Sequence, residues 1–192
     1  MQNFLVIDLE ATCDQNGHIS RSDMEIIEIG GAIVNLDTFE ITQRYQGYIK
    51  PVANPTLTSF CKDLTGITQT KVNTAPYFYD ALNTFKSWLS AHKSLAVWGS
   101  WGAYDKNQFE QDCVRHQQTN PFDSLQHINL KTSYAEALKT RSKGMANAYK
   151  EIGEDLIGRH HSGVDDAINI ARLLSLAPKF GDLIRQKTLS YL

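Results

Sequence analysis

Three short segments carry carboxylates and imidazoles at spacings that can hold divalent cations and move a proton. They are DLEATC (residues 8–13), SWGAYD (100–105) and HHSGVDD (160–166). In the first, strand alternation turns Val6, Asp8 and Glu10 to one face and Leu5, Ile7 and Leu9 to the other, so two carboxylates lie side by side. Burying such a pair costs several kcal/mol, roughly, unless a cation or hydrogen bonds compensate. A frayed strand end with both groups solvated is the plainer reading of this segment alone. In the second, Asp105 stands four residues before Phe109 and eight before Cys113, on the inward stripe of a helix. Helix N-cap and metal ligand are equal readings of it. The third segment puts histidines on a loop just before a helix that begins with two aspartates, which suits a base beside a metal. The helical wheel leaves open whether Asp165 or Asp166 faces inward. Either aspartate can instead serve the helix dipole, with His160 and His161 exposed.

The elements that must position these groups follow from hydrophobic patterning. Phe4–Leu9, Ile26–Leu36 and Ile41–Lys50 read as three strands able to form an antiparallel set. Thr74-Ala75-Pro76 reads as the start of a helix, with Phe78, Leu82, Phe85 and Leu89 at helical spacing. Leu95–Trp98 gives a fourth strand, Lys106–Arg115 a helix, Ile128–Leu130 a short strand and Tyr134–Leu138 the start of another helix. A periodic helix over Asp165–Leu174 is expected to close the domain, ended by Pro178. Residues 137–144 read as a polar loop. Three meandering strands followed by alternating strands and helices predict an α/β fold, a mixed sheet of the RNase H-like kind flanked by helices.

Composition narrows the class further. The chain has 192 residues, enough for one well-buried core, and residues 1–192 are expected to form a single domain. No stretch approaches the roughly 18 apolar residues of a membrane span, and no signal-peptide pattern is visible, so no membrane partner and a cytoplasmic location are expected. Three cysteines at scattered spacings predict neither a disulfide framework nor a zinc site. The net charge of −2 does not by itself suggest nucleic acid, but suits a protein that grips only a strand end.

Taken in order and spacing, the three segments resemble the DEDDh exonucleases of the DnaQ-like group, and are most similar to Eri-type exonucleases and bacterial KapD-like proteins. EIIEIG (25–30), FCKDLTGIT (60–68), INLKTSY (128–134) and DDAINIA (165–171) extend the resemblance over nearly the whole chain. The resemblance implies a 3′→5′ exonuclease domain acting on single-stranded ends, RNA favoured and DNA possible, releasing nucleoside 5′-monophosphates. It selects Asp8, Glu10, Asp105 and Asp166 as ligands of two Mg²⁺, with Mn²⁺ able to substitute, and His161 rather than His160 as general base. Backbone near Ala11 and Thr12 is implied to hold the terminal sugar. Ile67 and Tyr104 are implied to wedge or stack on the last bases, with plain core packing an equal reading for both. Glu28 belongs to the pattern and is read as a structural anchor. Lys139, Arg141 and Lys143 read as a solvated loop before a strand path. Two other functions share these residues: a regulatory protein that binds a partner on a nuclease scaffold, and an oligoribonuclease acting on very short strands. Protein partners are not specified by any motif.

Overall fold

The structure is a computed structural model that describes residues 2–92 and 95–191. Its centre is a five-stranded sheet of β1 (Asn3–Ala11), β2 (Ile26–Asn35), β3 (Ile41–Tyr48), β4 (Val97–Ser100) and β5 (Gln126–Asn129), in the order β3-β2-β1-β4-β5. β1 runs antiparallel to β2, and β2 to β3, whereas β1–β4 and β4–β5 are parallel. This is the expected mixed sheet. Around it stand α1 (Ser59–Thr65), α2 (Gln69–Thr74), α3 (Phe78–Ser90), α4 (Tyr104–Arg115), α5 (Leu130–Leu138), α6 (Met145–Ile152), α7 (Gly163–Leu176) and α8 (Pro178–Leu189).

Strand alternation divides the interior into two layers. Phe4 and Val6 of β1 join Ala32 and Val34 of β2 against α5 to α8, with Tyr134, Tyr149, Ile170 and Phe180 filling that side. Leu5, Ile7 and Leu9 point the other way, into Phe78, Phe85 and Phe109 of α3 and α4. A smaller cluster of Ile27, Leu57, Cys61, Ile67 and Val72 seats α1 and α2 beside the end of β2.

Several boundaries differ from expectation for identifiable reasons. Thr74-Ala75-Pro76 does not open α3: Thr74 ends α2, and Tyr77 is the N-cap without a side-chain cap bond. Residues 58–74 hold two short helices, each capped by a threonine. Thr58 Oγ1 accepts from Cys61 N at 3.0 Å and Thr68 Oγ1 from Lys71 N at 3.2 Å, while Gly66 ends α1 in the left-handed region at φ 73°. Six or seven residues give too little periodicity to read as a helix. β5 lies at Gln126–Asn129, before the expected Ile128–Leu130, because Asn129 caps α5 by accepting from Thr132 N at 3.1 Å. Pro178 does not end the chain's helical run. It occupies the first turn of α8, where its missing N–H costs nothing.

One contact sets α7 against the sheet. A Cβ at Gly30 of β2 would lie 2.0 Å from the carbonyl carbon and oxygen of Gly163, so backbone meets backbone there. Glu28, fully buried on β2, then accepts from Gly163 N at 3.1 Å and Val164 N at 3.4 Å, and from Gln46 Nε2 at 2.8 Å. A strand glutamate thereby satisfies the first free N–H groups of α7, which has no side-chain bond from its own N-cap, Ser162.

Candidate active site

Four carboxylates from three elements meet at the carboxyl end of β1. Asp8 and Glu10 arrive on the face of β1 that looks toward α7, with Asp8 half-buried and Glu10 8% exposed. The close seating of α7 brings Asp166, 4% exposed, to the same place. Ligand oxygens of Asp8, Glu10 and Asp166 all lie within 4.8 Å of one another. Asp105 enters from the first turn of α4, following β4. The register pairs β1 with β4 only at Leu5 and Val6, and further along β1 the Leu9 N–H donates to Asp105 Oδ1 at 3.0 Å. Ala103, not Asp105, occupies the N-cap of α4, and it makes no side-chain cap bond.

Electrostatics mark this cluster as one that needs cations. Burial, then the neighbouring charges of Asp105, Glu10, Asp166 and Glu28, raise the Asp8 carboxyl well above the usual carboxylate range. Burial and the charges of Asp166, Glu28 and Asp105 push Glu10 up to about 9. Asp105 is raised to about 6 by burial, its rise limited by backbone hydrogen bonds from Leu9 and its own N–H and by the Ser100 hydroxyl. Asp166 is raised by burial against opposing hydrogen bonds from His160 and His161. Carboxylates so crowded hold their charge only with a cation among them. The donors are hard oxygens, which suits Mg²⁺ or Mn²⁺ better than zinc.

Both histidines stand at the cluster, in different ways. His160 Nδ1 lies 3.0 and 3.1 Å from the two Asp166 oxygens, and the His161 backbone N–H donates to Asp166 Oδ2 at 3.0 Å. Their rings stack at 4.0 Å, and His161 has φ 65°, a left-handed conformation that β-carbons disfavour. Burial, aided by His160 and Arg159 and opposed by Asp166, lowers the His161 pKa below its ordinary 6.5. Asp165 turns away from the cluster: its Oδ2 accepts from Arg159 N at 2.8 Å and steadies the histidine loop. Buried Asn169 clasps the same loop, accepting from Ile157 N at 3.0 Å and donating to Ile157 O at 2.9 Å.

A cavity of about 390 Å³ opens over the carboxylates, lined by both histidines, Ala11, Cys13, Leu64, Trp101, Tyr104 and Met145 among others. Ala11 and Tyr104 border it. The Tyr104 ring carries the Arg21 guanidinium at 4.7 Å, and its hydroxyl donates to Met24 Sδ at 3.7 Å. Thr12 is 1% exposed and is engaged twice by Glu25, donating its N–H to Glu25 O at 2.8 Å and accepting from Glu25 N at 2.9 Å. Ile67 is 3% exposed within the cluster beneath α1 and α2, and Leu64 takes the cavity wall from the same segment. Lys143 is held by Glu151 at 2.7 Å, and its carbonyl accepts from Trp101 Nε1 at 3.0 Å. Sequence reasoning missed Leu64, Trp101 and Met145, which are ordinary apolar residues without a chemical signature. A larger groove of about 490 Å³ between Lys86, Leu89, Pro121 and Leu125 carries no carboxylate cluster.

Comparison with known proteins places the chain in a family. A family model described as RNase_T exonuclease matches residues 5–174. Human 3′-5′ exoribonuclease 1 is 35% identical over 178 residues, covering 88% of this chain and 50% of its own length. Mouse ERI1 exoribonuclease 3 is 33% identical over 192 residues, covering 95% and 56%. The chain thus spans about half the length of these relatives, and 27% of human ERI1 exoribonuclease 2. Among solved structures, the nuclease domain of 3′hExo, a DEDDh family member bound to rAMP, superposes with a TM-score of 0.84 at 28% identity, covering 96% of this chain and 92% of that one. The fold is accordingly RNase H-like, and the family implies divalent metal ions at the acidic cluster. With the family model matching most of the chain, the chain belongs to the RNase_T exonuclease family, in its DEDDh 3′→5′ branch.

Proposed function

We propose that residues 1–192 act as one exonuclease domain that trims RNA, and DNA less readily, from a free 3′ end to nucleoside 5′-monophosphates. The observation that carries this reading is the convergence of Asp8, Glu10, Asp105 and Asp166 from β1, α4 and α7 at the floor of one cavity. The preference for RNA is supported by relatives named exoribonucleases and by a similar structure described as recognising the 3′ end of a histone mRNA stem-loop.

Asp8, Glu10, Asp105 and Asp166 would hold two divalent ions, Mg²⁺ or Mn²⁺. Such ions would neutralise the four carboxylates and would supply Lewis-acid assistance to the attacking water and the leaving 3′ oxygen. His161 takes the proton of that water on its imidazole. Its lowered pKa keeps the neutral, proton-accepting form dominant at pH 7. His160, hydrogen-bonded to Asp166, orients that carboxylate instead. The Ala11 backbone borders the place of the terminal sugar, and the Tyr104 ring offers a face on which the last base stacks, a contact indifferent to base identity. With Ile67 buried, Leu64 is the apolar wedge of that segment.

One gel tests this reading. RNA and DNA labelled at either end are incubated with Mg²⁺, Mn²⁺ or a chelator, for the natural chain and Asp8→Ala. The expected result is a labelled mononucleotide from 3′-labelled RNA and progressive shortening of 5′-labelled RNA, lost with chelator and in Asp8→Ala. Internal fragments, or digestion that survives chelation, would falsify it.

A further inference from the structure

Of the three cysteines, Cys13 lies on the wall of the cavity and Cys61 in the buried cluster against which it packs. Cys13 follows Glu10, Ala11 and Thr12 on the segment leaving β1, is half-buried and borders the cavity. Cys61 lies one turn into α1, fully buried behind it. Cys13 packs against the buried cluster that holds Cys61, and Cys61 Sγ donates to the Ala11 carbonyl at 3.6 Å. The backbone around the pair is fixed from both sides. The Thr58 hydroxyl donates to Cys13 O at 2.7 Å, and the same hydroxyl oxygen caps α1 by accepting from Cys61 N at 3.0 Å. Thr12 is clamped to Glu25. One threonine hydroxyl thus holds the two cysteines side by side, the arrangement a bond of about 2.05 Å between their sulfurs needs. The third, Cys113, is 2% exposed in the core between α3 and α4, its thiol pushed up to about 12 by burial.

From this juxtaposition we propose that Cys13 and Cys61 form an oxidisable dithiol, which peroxide converts to a disulfide that ties the segment after Glu10 to α1 and slows the nuclease. Cys61 and burial push the Cys13 thiol well up while Cys61 is drawn down to about 7, so Cys61 suits the second, bond-forming attack; Cys13 is the member a small oxidant can reach from the cavity. Its sulfur attacks one peroxide oxygen, the O–O bond breaks, and one water leaves with a sulfenic acid on Cys13. Cys61 then attacks the Cys13 sulfur, forming S–S and expelling the hydroxyl as a second water. Two thiols and one hydrogen peroxide thus give one disulfide and two waters, the thiols losing two electrons to the peroxide. The bond removes the thiol that Ala11 O accepts from and draws Cys13 toward α1, altering the wall where the terminal sugar is proposed to sit. The bond itself is independent of the nuclease reading, whereas its effect on turnover rests on that reading.

The full chain is treated with a small excess of hydrogen peroxide, then denatured for thiol counting and peptide mapping. Free thiols should fall from three to one, a Cys13–Cys61 linked peptide should appear, and Cys113 should stay reduced. Cys113→Ser should form the same linked peptide, and Cys13→Ser should not. Turnover of the oxidised chain on 3′-labelled RNA should be several-fold lower and return with dithiothreitol. Three remaining thiols, a linkage that involves Cys113, or Cys13 oxidised to sulfinic acid beside a free Cys61 would overturn the dithiol. A Cys13–Cys61 disulfide with unchanged turnover would overturn its control of the cavity. If the reduced chain has no exonuclease activity at all, the thiol count still decides whether the pair exists.

Discussion

His160 and His161 divide the surroundings of Asp166 between them, one by its ring and the other by its backbone N–H. Their consequences under substitution should differ accordingly. His161→Ala is expected to lower kcat by roughly 10² to 10⁴ while metal affinity holds, and to abolish the acid limb of the pH–rate profile. That limb should have its midpoint below 6.5, because burial favours the neutral imidazole. His160→Ala should keep most of the turnover and the acid limb. Steady-state rates for both variants from acid to neutral pH decide it, and exchanged phenotypes would move the base to His160. The carboxylates make a second prediction. A carboxyl whose folded pKa lies above its unfolded value binds its proton more tightly in the folded state, so stability falls as pH rises between the two values. For Glu10 that window runs from 4.5 to about 9. The melting temperature of chelator-treated protein should therefore decline across it, and millimolar Mg²⁺ should flatten the decline. The pairing of Asp8 with Glu10 was legible in the sequence because strand alternation is strict. Asp166 and Asp165 were not separable there, since the wheel sees only α7 and not the loop to which Asp165 is bonded.

At the scale of elements, catalytic geometry depends on how α7 is docked. Glu28 stands at the buried start of that helix and presents acceptors to N–H donors and to the Gln46 amide. Glu28→Gln would place an amide NH₂ among those donors, leaving buried groups unpaired at a cost of about 1–3 kcal/mol. Urea unfolding should show that loss, and calorimetric titration should show weaker Mg²⁺ binding through the displaced Asp166. A variant as stable and as tight as the natural chain would remove Glu28 from the anchoring role. Gly30→Ala should be harsher, at least about 2–3 kcal/mol, since its methyl would overlap the Gly163 carbonyl. The long strands, α3, α4 and α7 were legible because each carries enough turns or alternations for its period to emerge. α1, α2 and α6 were not, as six to eight residues fixed largely by caps and tertiary contacts leave little pattern. Leu64 borders the cavity and Ile67 is buried beside it, a placement the sequence could not give for the same reason. Only the direction of α1 decides which of them faces the cavity.

Over the whole molecule, the sheet is a partition with a complete core on each side. α8 finishes one of them, although the family match ends at residue 174. Phe180 and Ile184 are fully buried against α5 and α7, and Arg185 Nε donates to Leu36 O at 2.6 Å. Phe180→Ala is expected to cost about 3–5 kcal/mol in chemical denaturation while leaving kcat near normal well below its melting temperature. A loss of kcat without a loss of stability would instead tie α8 to the site. The helix was missed in the sequence because Pro178 signals a stop and a first turn equally well, and only packing tells them apart. Near the other end of the same layer, residues 30 and 163 touch through atoms that every amino acid possesses. The interval between strand and helix is consequently independent of which hydrophobic groups occupy the interior around it. A deep mutational scan should find the layers broadly permissive of one apolar residue for another, interrupted at position 30 by a site that accepts nothing heavier than hydrogen. A redesigned interior should likewise retain its ion-holding spacing for as long as that glycine is left in place.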